Sequence, residues 1–146
     1  MGISGASGVI YGVRMLGLLK ETDYETHLII SDSGRRNLEI ETDFKAGDVE
    51  AMADHVYEDR AADVNLKEGR KLVLVVRETP LHKGHLRLMT MAADMGTHIL
   101  PPVPSFYHQP KTIQDIIDQT IGKVFDYVGI EHELFRRWEG SKGVAL

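Results

Sequence analysis

Three short stretches hold the residues best suited to chemistry. "GISGASG" (2–8) sets three glycines around Ser4 and Ser7. Glycines let backbone N–H groups approach a ligand closely, and serines add hydroxyl donors. The loop lacks the Gly-Lys-Ser/Thr of a Walker loop and the spacing of the dinucleotide fingerprint, so a phosphate or flavin site and a plain tight turn stand level. "VVRETP" (75–80) puts Arg77 and Glu78 directly after an apolar run, where Arg77 is either a bidentate phosphate clamp or half of a solvated ion pair. "PPVPSFYHQP" (101–110) displays Tyr107 and His108 on a proline-stiffened loop, which is a binding wall or a strand end with Phe106 buried.

Other residues carry weaker signals. His82 and His85 have the spacing to chelate a metal from a helix, but no third ligand with matching spacing accompanies them, and surface or supporting roles are expected. Trp138 in "FRRWEG" is expected to anchor the tail to the core or to a neighbouring subunit. The stretch "MTMAADM" (89–95) reads as core filler.

The elements that must position these residues alternate. Val9 to Lys20 predicts a helix with Val9, Val13, Leu16 and Leu19 on one face. "ETHLIIS" (25–31) predicts a short buried strand, and "SDSGRRNLEIETD" (31–43) a capped second helix. "GDVEAMADHVYEDR" (47–60) predicts a short helix and an exit loop, and "RAADVNLKEGR" (60–70) is helical in propensity. "KLVLVVRE" (71–78) is the clearest strand, its apolar run from Leu72 to Val76 matching a parallel strand covered on both faces. Pro80 stands near the start of another helix and Gly96 fits its C-terminal end. A short strand enters the proline loop from Thr97. The best amphipathic helix spans 112–129, with Ile113, Ile116, Ile117, Ile121, Val124 and Val128 in helical register. Alternating strands and helices predict an α/β fold whose parallel sheet binds ligands at the carboxyl ends of its strands. About three strands are convincing, fewer than such a sheet ordinarily has.

Composition bounds the function. A chain of 146 residues, 42% hydrophobic and 27% charged, predicts one domain over residues 1–146. A net charge of −5 without a basic run excludes the usual electrostatics of nucleic-acid binding. No cysteine is present, so there is no thiolate nucleophile and no disulfide framework. The absence of a secretory signal or a membrane-length apolar run makes a cytoplasmic location, with no membrane partner, the expectation.

Taken together, "GISGASGVIYGVRML", "ETHLIIS", "ETD", "RAADVNLKEGRKLVLVVRETPL", "ILPPVPSFYHQP" and "IEHELFRRWEG" resemble the flavin prenyltransferases of the UbiX/Pad type, in family order and across nearly the whole chain. An older label for that family is aromatic-acid (phenylacrylic acid) decarboxylase. The resemblance implies a flavodoxin-like Rossmann fold, a three-layer sandwich with a parallel sheet. It implies trimers within dodecamers, with sites at subunit interfaces and the tail from about 130 to 146 packed on a neighbouring subunit. Family members join a dimethylallyl group from dimethylallyl monophosphate to reduced FMN, and the prenylated flavin serves a UbiD-type decarboxylase.

Carried to this chain, the resemblance implies that Gly5, Ala6, Ser7, Ser31 and Arg77 contact FMN. Glu41, with Ser7, would manage protons near the flavin ring. Glu78 would belong to the polar set around the prenyl phosphate and serve, like the departed phosphate, as a base. Arg60, Lys67, Tyr107 and Lys123 would hold the phosphate, and Trp138 would form an aromatic wall. No Asp-rich, metal-recruiting motif is present, so no metal is expected in the reaction. Alternatives are a family member that binds FMN without catalysis, a flavoprotein decarboxylase acting on aromatic acids, and a cysteine decarboxylase of the sister group, which "RAADVNLKEGR" and "FYHQP" argue against.

Two departures from the family accompany the match. The strand that precedes "GISGASG" is missing, and so is a strand with a Pro-Cys-Ser loop between Asp59 and Arg60. A sheet robbed of inner strands exposes apolar surface that a stability of about 5–15 kcal/mol does not tolerate. The expectation is therefore that these segments belong to the protein but not to this sequence. Lys123 is a lesser departure, since many members carry Arg there.

Overall fold

In the computed structural model, residues 1–58, 71–138 and 140 are described. The segment 60–70, read above as helical, lies outside them, as do Arg60, Lys67 and the Asp59–Arg60 junction. Two compact units divide the chain, Met1–Pro101 and Pro102–Leu146.

In the first unit the elements run β1 (Gly2–Ile3), α1 (Val9–Leu19), β2 (His27–Ile30), α2 (Asp32–Glu41), α3 (Ala46–Glu50), β3 (His55–Tyr57), β4 (Val73–Leu74), α4 (Lys83–Asp94) and β5 (His98–Ile99). β1, β2 and β3 form a parallel sheet in that order, with Gly2 opposite Ile29 and His27 opposite His55. β4 and β5 form a second parallel pair, Val73 opposite His98. Parallel strands linked through helices are the α/β, flavodoxin-like arrangement that the motifs predict.

Gly2 and Ile3 of the glycine loop are themselves β1, because Ile3 is apolar enough to be buried beneath α1. Ile3 joins Val9, Val13, Leu16, Leu28, Ile30, Leu38 and Val49 in one core that binds α1, α2 and α3 to the sheet. Each large side chain so buried contributes about 1.5–3 kcal/mol.

Several elements differ from expectation. Residues 55–57, read as an exit loop, form β3, since the β-favouring Val56 and Tyr57 pair with Leu28 and Ile29. Five short strands thus stand among the described residues in place of three. Of "KLVLVVRE", only Val73–Leu74 forms a strand, and Leu74 is exposed. With β5 as its partner among the described residues, the run lacks the two-sided cover its composition suits. Met91 and Met95 are not core filler: both are exposed, Met89 is half-buried, and α4 buries no residue.

The second unit is built on α5 (Ile113–Val128). The Thr112 hydroxyl accepts from Asp115 N–H, the Asp115 carboxylate accepts from Thr112 N–H, and Gly129 closes the helix at positive φ. Ile117, Ile121 and Val124 are buried as the periodicity predicts and Phe125 joins them, whereas Ile113 is 77% exposed in the first turn. Phe106 is also exposed, which removes the view of the proline loop as a strand end over a buried phenylalanine.

Candidate functional site

The glycine loop leaves the carboxyl end of β1 and enters α1 at Gly8, whose φ of 99° is one that L side chains rarely adopt. Gly8 has no side chain to cap the helix, so the cap comes from elsewhere in the chain. Glu41, the last residue of α2, accepts from Gly8 N–H at 2.7 Å and Val9 N–H at 3.4 Å. The loop lies hard against α2: a Cβ at Gly5 would stand 2.4 Å from Ser33 Cβ, and Asn37 donates to the Gly5 carbonyl at 2.7 Å.

Partial burial pushes the Glu41 carboxyl up. Hydrogen bonds from Gly8 N–H, the Ser7 hydroxyl and Val9 N–H, with the charge of Arg77, outweigh that and hold it below its ordinary range. Arg77 also lies beside the loop, its Cγ 3.8 Å from where a Gly8 Cβ would be. The structure thus brings Ser7, Glu41 and Arg77 together from three places in the sequence. Ionised Glu41 occupies the two N–H groups at the α1 terminus, so this helix end is not a free phosphate cradle. A carboxylate bonded to a serine hydroxyl beside an exposed Gly5-Ala6 backbone fits a flat, proton-exchanging ring instead.

Ser31 follows β2 and caps α2, accepting from Gly34 N–H at 3.1 Å. Glu78 is exposed and accepts from Thr79 N–H at 2.8 Å. His82 caps α4, accepting from Gly84 N–H at 3.0 Å, and stacks on His85 at 3.6 Å between centroids. That pair serves as a helix cap.

The second unit gathers Tyr107, Lys123 and Trp138. Tyr107 meets the Trp138 ring edge-on at 6.1 Å, and Lys123 Nζ lies 5.0 Å from the Phe135 centroid and 3.8 Å from Asp126 Oδ2. Asp126 also accepts from Arg137 Nη2 at 2.7 Å and from His132 Nε2 at 3.1 Å. His132 Nδ1 accepts from Leu134 N–H, which leaves the proton on Nε2 to face Asp126. The Arg137 hydrogen bond, opposed by burial and joined by His132, holds the Asp126 carboxyl below its usual range. Beside Tyr107, Ser105 Oγ and both ring nitrogens of His108 are buried with no hydrogen-bond partner among the described residues.

Asn37, Asp126, His132, Phe135 and Arg137 escaped the sequence reading. Asp126 had a signal, its spacing of three from Lys123 on a helix. The others depend on tertiary approach.

No family model matches the chain. It is 46% identical to the flavin prenyltransferase UbiX of Escherichia coli (strain K12) over 184 aligned positions, covering 97% of each chain. It is 39% identical over 180 positions to the mitochondrial flavin prenyltransferase PAD1 of Saccharomyces cerevisiae, covering 96% of this chain and 74% of that one. The dodecameric FMN-dependent UbiX-like decarboxylase from Escherichia coli O157:H7 is similar at a TM-score of 0.90 and 36% identity, over 95% of this chain and 97% of that one. AnUbiX (PadA1), solved with FMN and dimethylallyl pyrophosphate, is similar at 0.91 and 33%, over 97% and 96%. An alignment of 184 positions exceeds the 146 residues here, so the relative has residues without a counterpart in this sequence. With identities of this size over nearly its whole length, the chain belongs to the flavin prenyltransferase family.

Proposed function

We propose that this chain transfers a dimethylallyl group from dimethylallyl monophosphate to reduced FMN, making the cofactor of a UbiD-type decarboxylase. Family membership supports the reaction class, and the Ser7–Glu41–Arg77 cluster is the observation that carries it to this chain's own residues.

Gly5, Ala6, Ser7, Ser31 and Arg77 hold the flavin in this reading. Bound there, FMN supplies the nucleophilic nitrogen and the ring carbon that accepts the second bond. Glu41, kept ionised by its donors, polarises the Ser7 hydroxyl, so the pair can take up a proton from a group above the loop. Arg60, Lys67, Tyr107 and Lys123 neutralise the charge that grows on the departing phosphate. The faces of Tyr107 and Trp138 favour the allylic cation character left behind. Either Glu78 or the departed phosphate accepts the ring proton. With this many cationic donors the reaction needs no metal. The same reading makes the chain a single flavoprotein domain in a cytoplasmic, trimer-based oligomer, most naturally a dodecamer, whose tail from about 130 packs on a neighbouring subunit.

The test is mass spectrometry of flavin released after anaerobic incubation with reduced FMN and dimethylallyl monophosphate in the presence of EDTA, with the pyrophosphate run in parallel. Flavin heavier by one dimethylallyl unit is expected with the monophosphate. Unmodified flavin from protein that retains it would sink the proposal and leave an FMN-binding protein.

A further inference from the structure

The opposite end of the first sheet carries its own set of ligating side chains. β2 and β3 begin with His27 and His55, which the parallel register sets directly opposite one another. Glu25 precedes His27 by two residues, so extended backbone brings it to the same face. One ligand atom from each of Glu25, His27 and His55 lies within 4.8 Å of the others. Glu25 Oε1 is 2.6 Å from His55 Nε2 and 3.9 Å from His27 Nε2, and the two imidazoles stack at 4.7 Å between centroids.

The frame beneath these groups is held tightly. Thr26, the buried residue between Glu25 and His27, donates to Asp54 Oδ2 through its N–H at 2.7 Å and its hydroxyl at 2.8 Å. Asp54 N–H returns a bond to the Thr26 hydroxyl at 3.0 Å, and His55 N–H bonds the Thr26 carbonyl at 3.0 Å. The backbones that present the three ligands are thereby locked together. Tyr57 adds orientation: its hydroxyl bonds His27 Nδ1 at 2.9 Å, leaving Nε2 to face Glu25. An outer hydrogen bond that fixes the far nitrogen is the usual companion of a metal-binding histidine.

We propose that Glu25, His27 and His55 bind a divalent transition-metal ion of the zinc type. Two imidazoles and one carboxylate suit zinc, leaving a fourth tetrahedral position for water, whereas magnesium and calcium favour oxygen donors. Contraction of the ligand atoms around the ion would replace the Glu25–His55 hydrogen bond. The four residues of β2, about 13 Å of extended chain, separate this site from the flavin end at Ser31. The ion therefore clamps the exposed strand β3 to β2 and takes no part in prenyl transfer.

Calorimetric titration of chelator-treated full chain with zinc chloride tests this. One zinc per chain is expected, abolished by His55→Ala and by His27→Gln, weakened about tenfold by Tyr57→Phe, and retained when His82 and His85 are both replaced by Ala. Cobalt(II) added to the unaltered protein should give the intense visible absorption of a tetrahedral ion, a readout that does not depend on any variant folding. No uptake by the unaltered chain, or uptake that survives His55→Ala, would overturn the proposal.

Discussion

Glu41 illustrates how one side chain serves structure and chemistry together. Its carboxylate caps a helix that begins 32 residues earlier in the chain and polarises the hydroxyl of Ser7. Replacing Glu41 by Gln, or Ser7 by Ala, should lower turnover about a hundredfold while flavin still binds, as absorbance and single-turnover kinetics would show. Replacing Glu41 by Ala should also cost about 1 kcal/mol of stability through the lost cap. The sign with pH follows from the depressed carboxyl. The folded chain holds this proton less tightly than the unfolded one, so the stabilisation is complete above the ordinary value of 4.5 and is lost as pH falls through the lower folded value. Urea midpoints of the two proteins should therefore differ at pH 7 and converge in acid; an unchanged difference would show that the carboxylate charge is irrelevant.

At the scale of elements, α5 and the tail after it depend on a glycine and an aspartate. A Cβ at Gly122 would stand 2.5 Å from Phe135 Cε1 and 2.6 Å from His132 Cε1. Gly122→Ala should thus destabilise the second unit by about 1–3 kcal/mol, despite the better helix propensity of alanine, because the rings have to move. Asp126 joins α5 to His132 and Arg137 and stands beside Lys123. Asp126→Asn should free the tail, shift Trp138 emission and raise KM for the prenyl phosphate more than it lowers kcat. A variant with Trp138 fluorescence and KM both unchanged would remove Asp126 from this role.

For the whole molecule, the telling feature is apolar surface without cover. Leu88, Met91 and Met95 run along one side of α4 and its end, and are 65%, 51% and 64% exposed. Exposed apolar residues grouped on one helix side suit an interface, and the similar Escherichia coli O157:H7 structure is a dodecamer. Light scattering on this chain should give an assembly larger than a monomer, reduced in size by Leu88→Glu. An unaltered assembly would place the contact elsewhere. Among the described residues no helix is long and apolar enough to cross a membrane, so a spanning helix does not account for the stripe.

The sequence by itself determined most of the helices and some of their ends, because hydrophobic spacing, Ser31 ahead of α2 and Gly96 after α4 act over a few residues. It also determined the family, because motifs such as "FYHQP" and "GASG" keep their order along the chain. Strand limits lay beyond it. Val75 and Val76 are as β-favouring as Val73, and what separates them is whether a neighbouring backbone supplies hydrogen bonds. Only the tertiary structure set Glu41 on the terminus of α1, Asn37 on Gly5, and His27 against His55, since each pairing joins residues with no fixed spacing in the chain. It also decided that Met91 and Met95 face outward, because a helix pattern states which residues share a side but not what lies opposite that side.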